Sequence, residues 1–291
     1  MSTIMPESLL ADIMKNKKSG KKRKGVSTGF HSIDEHMRLV KKSLTLITGF
    51  PSYGKSTFLD ALAINTSILH NWKWLYYSTE NDDYSSHLSK LIAYKMGKST
   101  YYATEAEITE AVAWANNHFA WIDSGDAFYT LDDVMEQTAI RIETGEIVDV
   151  LVIDPWNELN HQAQSKRDDQ YISDCMARLT KFAKKYNIVP IVVIHPNSIE
   201  KNKDGSYPIP HLRNCNGGQM WWNKAHIGIC VHRKDFNVQG AWVFCQKVKT
   251  TDIGYQGAVF LDYELGSGRF KDQGAGEFYL PEPPDNTPAP F

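Results

Sequence analysis

The hydrophobic pattern changes character along the chain. Between residues 44 and 194, short apolar runs alternate with longer segments whose apolar positions recur every three or four residues. That is the signature of buried strands separated by amphipathic helices. Leu44, Leu46 and Ile47 read as a first strand, and Phe58, Leu59, Leu62, Ala63 and Leu69 mark the helix behind it, over residues 57–70. A strand at 74–78 follows, then helical patterns at 84–96 and 104–117, a strand near 119–122 and a helix near 131–143. Residues 148–153 are almost uninterruptedly apolar and end at Asp154-Pro155, where proline takes the chain out of the strand. Ile172, Cys175, Met176, Leu179, Phe182, Ala183 and Tyr186 lie on one face of a helix over 170–186, and 188–194 is a second fully apolar strand, ending at His195-Pro196.

After a long polar loop at 197–218 and a helical turn near 219–226, strands at 227–233, 241–248 and 257–263 are separated only by turns. The fold class expected is α/β: a mostly parallel, doubly wound sheet extended by antiparallel C-terminal strands. Residues 6–16 read as an amphipathic helix too small to fold alone, and 28–34 as a turn and helix start. Lys15 to Lys24 is a basic linker, either a solvated tether or a DNA-contacting or nuclear-signal-like tract. The tail is acidic, proline-rich and expected to be disordered. Three segments result: 1–24, a main domain at 25–272, and 273–291.

Composition narrows the function classes. With 291 residues and 42% hydrophobic content, the chain can bury one large core. A net charge of −2 means that nucleic-acid binding, if present, must use local patches. Cys175, Cys215, Cys230 and Cys245 form no C-x-x-C pair, which suits reduced thiols in the cytoplasm. No apolar run spans a bilayer, so no membrane partner is expected.

Gly49, Gly54, Lys55 and Ser56 satisfy G-x-x-x-x-G-K-[ST], the phosphate-binding P-loop, between a strand and a helix as the motif requires. Its glycines allow the backbone N–H groups of Ser52, Tyr53, Lys55, Ser56 and Thr57 to close on phosphate oxygens, with Pro51 shaping the same loop. Lys55 supplies a point charge and Ser56 a hydroxyl for Mg²⁺, so ATP or another nucleoside triphosphate with Mg²⁺ is the expected cofactor. In open parallel sheets ligands bind beyond the carboxyl ends of the strands. Three strands end there in suitable groups: Glu80 to orient or deprotonate water, Asp154 on the Mg²⁺ side, and His195 as a γ-phosphate sensor. The loop after His195 carries Asn197, Lys201, Lys203, His211, Arg213 and Asn214 with Tyr207 interleaved; a second loop, 160–169, carries Gln162, Gln164, Lys166 and Arg167. Such loops suit a phosphate backbone better than base readout, and equally read as solvated surface.

The order of the P-loop, Ser78-Thr-Glu-Asn81, Ile153-Asp-Pro-Trp-Asn-Glu158, His195-Pro196, Gly217-Gly218, Asn223-Lys224-Ala225 and Gln246-Lys-Val-Lys249 with Gly254 resembles the RecA-fold motor of DnaB-like replicative helicases, nearest the Twinkle-type and phage primase-helicase branch. The resemblance covers residues 25–272. It implies a homo-oligomeric ring, commonly a hexamer, with ATP between subunits and single-stranded DNA threaded through, in a bacterial or phage-infected cell. A primase, a polymerase or a single-strand-binding protein is the implied kind of partner. It also implies that Glu80 is the catalytic carboxylate and that the two polar loops line the channel. Lys247 and Lys249 would act in trans on the neighbour's nucleotide, Arg233 would contact nucleotide, and Tyr263 would stack on the base. Residues 6–16 would dock on the next subunit. Two positions depart from the family: Lys249 stands where an arginine finger is expected, with Arg233 or Arg269 as substitutes, and His226 where Asp is frequent. A RecA-type recombinase or regulatory ATPase, and an ATP-binding loader or adaptor with little turnover, are the alternative functions.

Overall fold

The computed structural model describes residues 24–79, 84–125, 127, 129–161, 167–197, 200–203 and 205–273. The apolar runs become six mutually parallel strands, β1 (Thr45–Thr48), β2 (Trp74–Ser78), β3 (Phe119–Trp121), β4 (Val150–Asp154), β5 (Val189–Ile194) and β6 (Ile227–His232). Antiparallel strands β7 (Gly240–Val248), β8 (Gly257–Glu264) and β9 (Arg269–Asp272) extend them in the order β3-β2-β4-β5-β1-β6-β7-β8-β9. Every residue of β1, β2, β4, β5 and β6 is buried, as expected for strands covered on both faces. Pro190 is tolerated because it is the second residue of β5, where a missing N–H interrupts the ladder least.

Alternation along each strand divides the core in two. Ile47, Val152 and Ile191 face one side, packing with Phe58, Leu62, Leu91 and Ala111 of α2 (Lys55–His70), α3 (Tyr84–Met96) and α4 (Glu105–Asn116). Leu46, Leu151 and Val192 face the other, against Leu131, Val134, Met176 and Leu179 of α5 (Leu131–Glu143) and α6 (Asp168–Tyr186). Two short helices, α1 (His31–His36) and α7 (Gln219–Lys224), complete the set. Thr104 with Glu107, and Thr130 with Asp133, form reciprocal capping boxes that start α4 and α5. Among the described residues no helix is long and apolar enough to cross a membrane.

A buried polar link ties α2 to α3. The Trp121 indole N–H donates to His87 Nδ1 at 3.0 Å, so the proton sits on Nε2 and is donated to Asp60 Oδ1 at 2.9 Å. At the opposite end of the sheet the Leu44 N–H donates to His226 Nδ1 at 3.2 Å, bracing β1 against β6. All four cysteines are free and buried, and burial pushes the Cys215 thiol up to about 11.

Two features lie beyond the sequence expectation. Strand β9 pairs with β8 through a tight turn in which Gly268 takes φ +70°. Its four residues are too few to show a period. The Arg269 side chain donates from Nε to the carbonyl of Tyr94 at 2.5 Å and from Nη2 to that of Lys95 at 2.6 Å. It thus adds side-chain donors to carbonyls in the last turn of α3 and ties β9 to that helix. Removing it by Arg269→Ala is expected to lower stability by about 1–3 kcal/mol, measured by denaturant unfolding.

Burial, followed by Lys249, Lys184 and Lys247, lowers the His226 pKa to about 4; burial and Lys234 do the same to His232. An unfolded histidine titrates near 6.5, so between these values the unfolded chain takes up protons that the native chain does not. Stability is therefore expected to fall as pH drops from about 6.5 towards about 4. NMR titration should show both imidazoles titrating near the lower value.

Candidate functional site

The P-loop is shaped by a steric limit. Thr48 pairs with Ile194 on one side and Cys230 on the other, so β1 ends level with β5 while β6 runs on two residues to His232. At Gly49, with φ +148°, an added Cβ would stand 2.3 Å from the Val231 carbonyl oxygen, so only glycine fits. Left-handed backbone at Ser52 (φ +63°) and Gly54 (φ +97°) then curls the chain into a concave loop that opens α2 at Lys55. No side chain caps this helix and its first turn holds no acidic residue, so its N–H groups and positive dipole end face the loop unopposed. Lys55 is 7% exposed, and its Nζ donates to the Phe50 carbonyl at 3.0 Å. This is a cradle for phosphate, and the residues present fit the triphosphate of a nucleotide.

A cavity of about 520 Å³ lies over the loop. Its floor is Pro51, Ser52, Tyr53, Gly54, Lys55, Ser56 and Thr57, and His195 and Arg233 reach its sides. The β8–β9 hairpin contributes Tyr263, Leu265 and Phe270 to its lining, with the Tyr263 and Phe270 rings 5.5 Å apart and edge-on and Phe270 next to Gly54. A phosphate cradle bordered by aromatic and aliphatic side chains suits a nucleotide. The Arg233 guanidinium is 4.9 Å over the Phe236 ring and donates to the carbonyls of Phe236 and Val238. Its Nε is buried with no partner among the described residues.

Asp154 ends β4, is 4% exposed and is separated from β1 only by β5, so it lies two strand spacings, about 10 Å, from the P-loop strand. Among the described residues no cluster of three or more His, Cys, Asp or Glu could hold a metal. Mg²⁺ keeps waters and substrate oxygens in its shell, so the exposed Ser56 hydroxyl and one nearby carboxylate, such as Asp154, could hold it. Glu80 and Lys166, and with them Gln162 and Gln164, lie outside the described residues, as do the expected helix at 6–16 and the tail.

Lys247 and Lys249 stand apart from this cavity. Gly240, the first residue of β7, lines it, whereas Lys247 is seven residues further along the same strand, about 23 Å away. Lys247 Nζ donates to the carbonyl oxygens of Trp222 and Asn223 at the end of α7 and lies 5.4 Å over the Trp222 ring. Burial, then Lys249 and Arg213, lower its pKa. Lys249 is exposed.

The loop after β5 is held at its start. The His195 N–H donates to Asn157 Oδ1 at 3.2 Å, beyond β4; Pro196 bridges Cys215, and the Asn197 N–H donates to the Asn214 carbonyl at 2.8 Å. Asn214 Oδ1 accepts from the His211 N–H at 2.7 Å, so its side chain closes a turn. Arg213 lies 4.6 Å over the Trp222 ring, and Lys201 4.9 Å over Tyr207, which itself rests on Phe50 of the P-loop at 4.9 Å. Lys203 is exposed, and Arg167 is paired with Asp169 at the start of α6. Leu265, Phe270 and Trp222 were not singled out in the sequence. The Leu265-Gly-Ser-Gly268 turn signal could have predicted the hairpin that brings the first two to the cavity.

The family model for the DnaB-like helicase C-terminal domain matches residues 25–220. The Twinkle homolog protein, chloroplastic/mitochondrial, of Arabidopsis thaliana is 29% identical over 263 residues, which cover 85% of this chain and 36% of that protein. The chain thus spans about a third of that relative's length. Among solved structures, one described as an ATPase domain matches with a TM-score of 0.78 at 18% identity, over 93% of this chain and 99% of that one. A DnaB-like replicative helicase, described with its interactions with primase, matches with a TM-score of 0.75 at 19% identity, over 92% and 68%. The RecA-like sheet, the glycine-limited cradle at its centre and a family match over two thirds of the sequence agree, and the chain belongs to the DnaB-like helicase C-terminal domain family.

Proposed function

We propose that the chain is the motor of a replicative DNA helicase, hydrolysing ATP with Mg²⁺ to move along single-stranded DNA as a ring-shaped oligomer. The observation that carries this reading is the cavity over the P-loop, which His195 also lines, two residues before the loop expected to meet DNA. Lys55 and the N–H groups of the loop would hold the phosphates, and Ser56 and Asp154 would hold the metal. Bound Mg²⁺ would neutralise charge developing on the transferred phosphoryl group. Glu80 would orient the attacking water, while Tyr263 and Arg233 would hold the base end.

Lys247 and Lys249 cannot reach the nucleotide of their own chain across about 23 Å or more, which supports their acting on a neighbour's. Residues 1–24 would dock on the adjacent subunit, 25–272 would form the motor, and 273–291 would be a tail for replication partners such as a primase, a polymerase or a single-strand-binding protein. Lys201, Lys203, Arg213, Asn197, Asn214, Lys166 and Arg167 would lie along the strand, and the cytoplasm is the compartment this reading fits.

The deciding measurement is ATP turnover with and without single-stranded DNA. Strong stimulation is expected, with Lys55→Ala or Glu80→Gln lowering kcat about 100-fold or more. A low rate unmoved by DNA would favour a loader or adaptor instead. Mixing provides a second check: Lys55→Ala and Lys249→Ala chains, each inactive alone, should regain turnover together. Interfaces that join an intact Lys55 to an intact Lys249 then form, and no recovery would place both lysines in one site.

A further inference from the structure

Beyond the nucleotide cavity lies a second one, of about 220 Å³, on the other side of His195, which lines both. Trp156, Tyr171, His161 and Trp221 form its walls, and Asn157, Asp168 and Asn216 supply polar groups. Trp156 meets Trp221 edge-on at 82° with centroids 5.3 Å apart, His161 meets Tyr171 at 80° and 5.7 Å, and Trp156 is tilted against His161 at 34° and 4.9 Å. Trp156 and Trp221 are buried, so the rings with surface left to offer an incoming group are exposed His161 and half-buried Tyr171. Trp221 is anchored by its own indole N–H, which donates to the Asn216 carbonyl at 2.6 Å, and the Asn216 amide donates to Asp168 Oδ2 at 3.4 Å.

We propose that this cavity receives a single base of the strand threaded past the two polar loops. The inference rests on the helicase reading and adds to it a contact with the bases, where the loops' cations suit only the phosphates. The volume is below that of pockets for drug-sized ligands, so a lone planar ring system fits better than a whole nucleotide. Aromatic walls bind any base by stacking, so such a site holds a strand without demanding a sequence. Asp168 and Asn216 offer an acceptor and a donor to the edge of that base. The position matters most. The cavity lies between the residues after β4 and the loop after β5, and the His195 N–H is held by Asn157, itself a wall residue. A base entering here therefore presses on the group that also borders the phosphates, and DNA occupancy is read at the nucleotide through one side chain.

The test compares binding of a polythymidine oligonucleotide with one of equal length built from abasic sites, which keeps every phosphate, with Mg²⁺ and a non-hydrolysable ATP analogue present. The intact strand should bind about five- to a hundredfold more tightly for each base accommodated. Tyr171→Leu should shrink that difference to less than about twofold, while Tyr171→Phe, which keeps the ring, should preserve it. Equal affinity for the two strands overturns the base site and leaves the helicase reading intact. A full difference surviving in Tyr171→Leu also overturns it, because the bases then stack elsewhere. Binding of neither strand removes the helicase reading itself.

Discussion

Where Gly49 passes the carbonyl of Val231 there is no room for a side chain, and the geometry of the nucleotide site follows from that close approach. It exists because β1 lies between β5 and β6 and β6 runs two residues past the end of β1, so the chain leaving β1 must turn against the backbone of β6. Once it turns there, left-handed residues at 52 and 54 are needed to bring it round into α2. The helix then starts with uncapped N–H groups directed at the space just enclosed. An anion site is thus a consequence of sheet order and one missing methyl group. It does not depend on a cluster of charged side chains.

The same strand ends carry the connections between the nucleotide and the loops. Thr48, the last residue of β1, touches Cys215 through its hydroxyl at 3.4 Å; Cys215 pairs with Pro196; and Asn197 and Asn214 are joined through their backbones. These are short contacts among buried or backbone groups, stiffer than ion pairs between long surface side chains. Tyr207 adds a second route by resting on Phe50, whose carbonyl receives the Lys55 ammonium. Motion of the 197–218 loop and rearrangement of the phosphate cradle are mechanically adjacent events.

Much of this was legible in advance, for identifiable reasons. Elements with several turns or a continuous apolar run appear close to where periodicity puts them, as with residues 170–186 against Asp168–Tyr186. The P-loop was legible because its chemistry is local: the loop, the lysine and the helix are contiguous. Residues assembled from distant segments were harder to see. Nothing in the sequence around Arg269 marks it as the partner of carbonyls at 94 and 95, and four-residue β9 has too little alternation to detect. Phe270 and Leu265 wall the cavity only because an antiparallel hairpin folds back over the sheet edge. Trp222 was unremarkable as sequence, and gathers Arg213 and Lys247 only through tertiary packing.

If the lysine pair acts on a neighbour's nucleotide as proposed, the cavity at Gly240 and Lys247, seven residues further along β7, make the chain a two-ended object. Contacts between unlike ends are heterologous, and such contacts propagate from copy to copy without a natural stop. What distinguishes a closed circle from an endless helix is then the rotation and rise between successive copies, not any residue in the site. A few degrees at that joint would separate a device that encircles a strand from one that coats it. The chemistry at the joint would be the same in both.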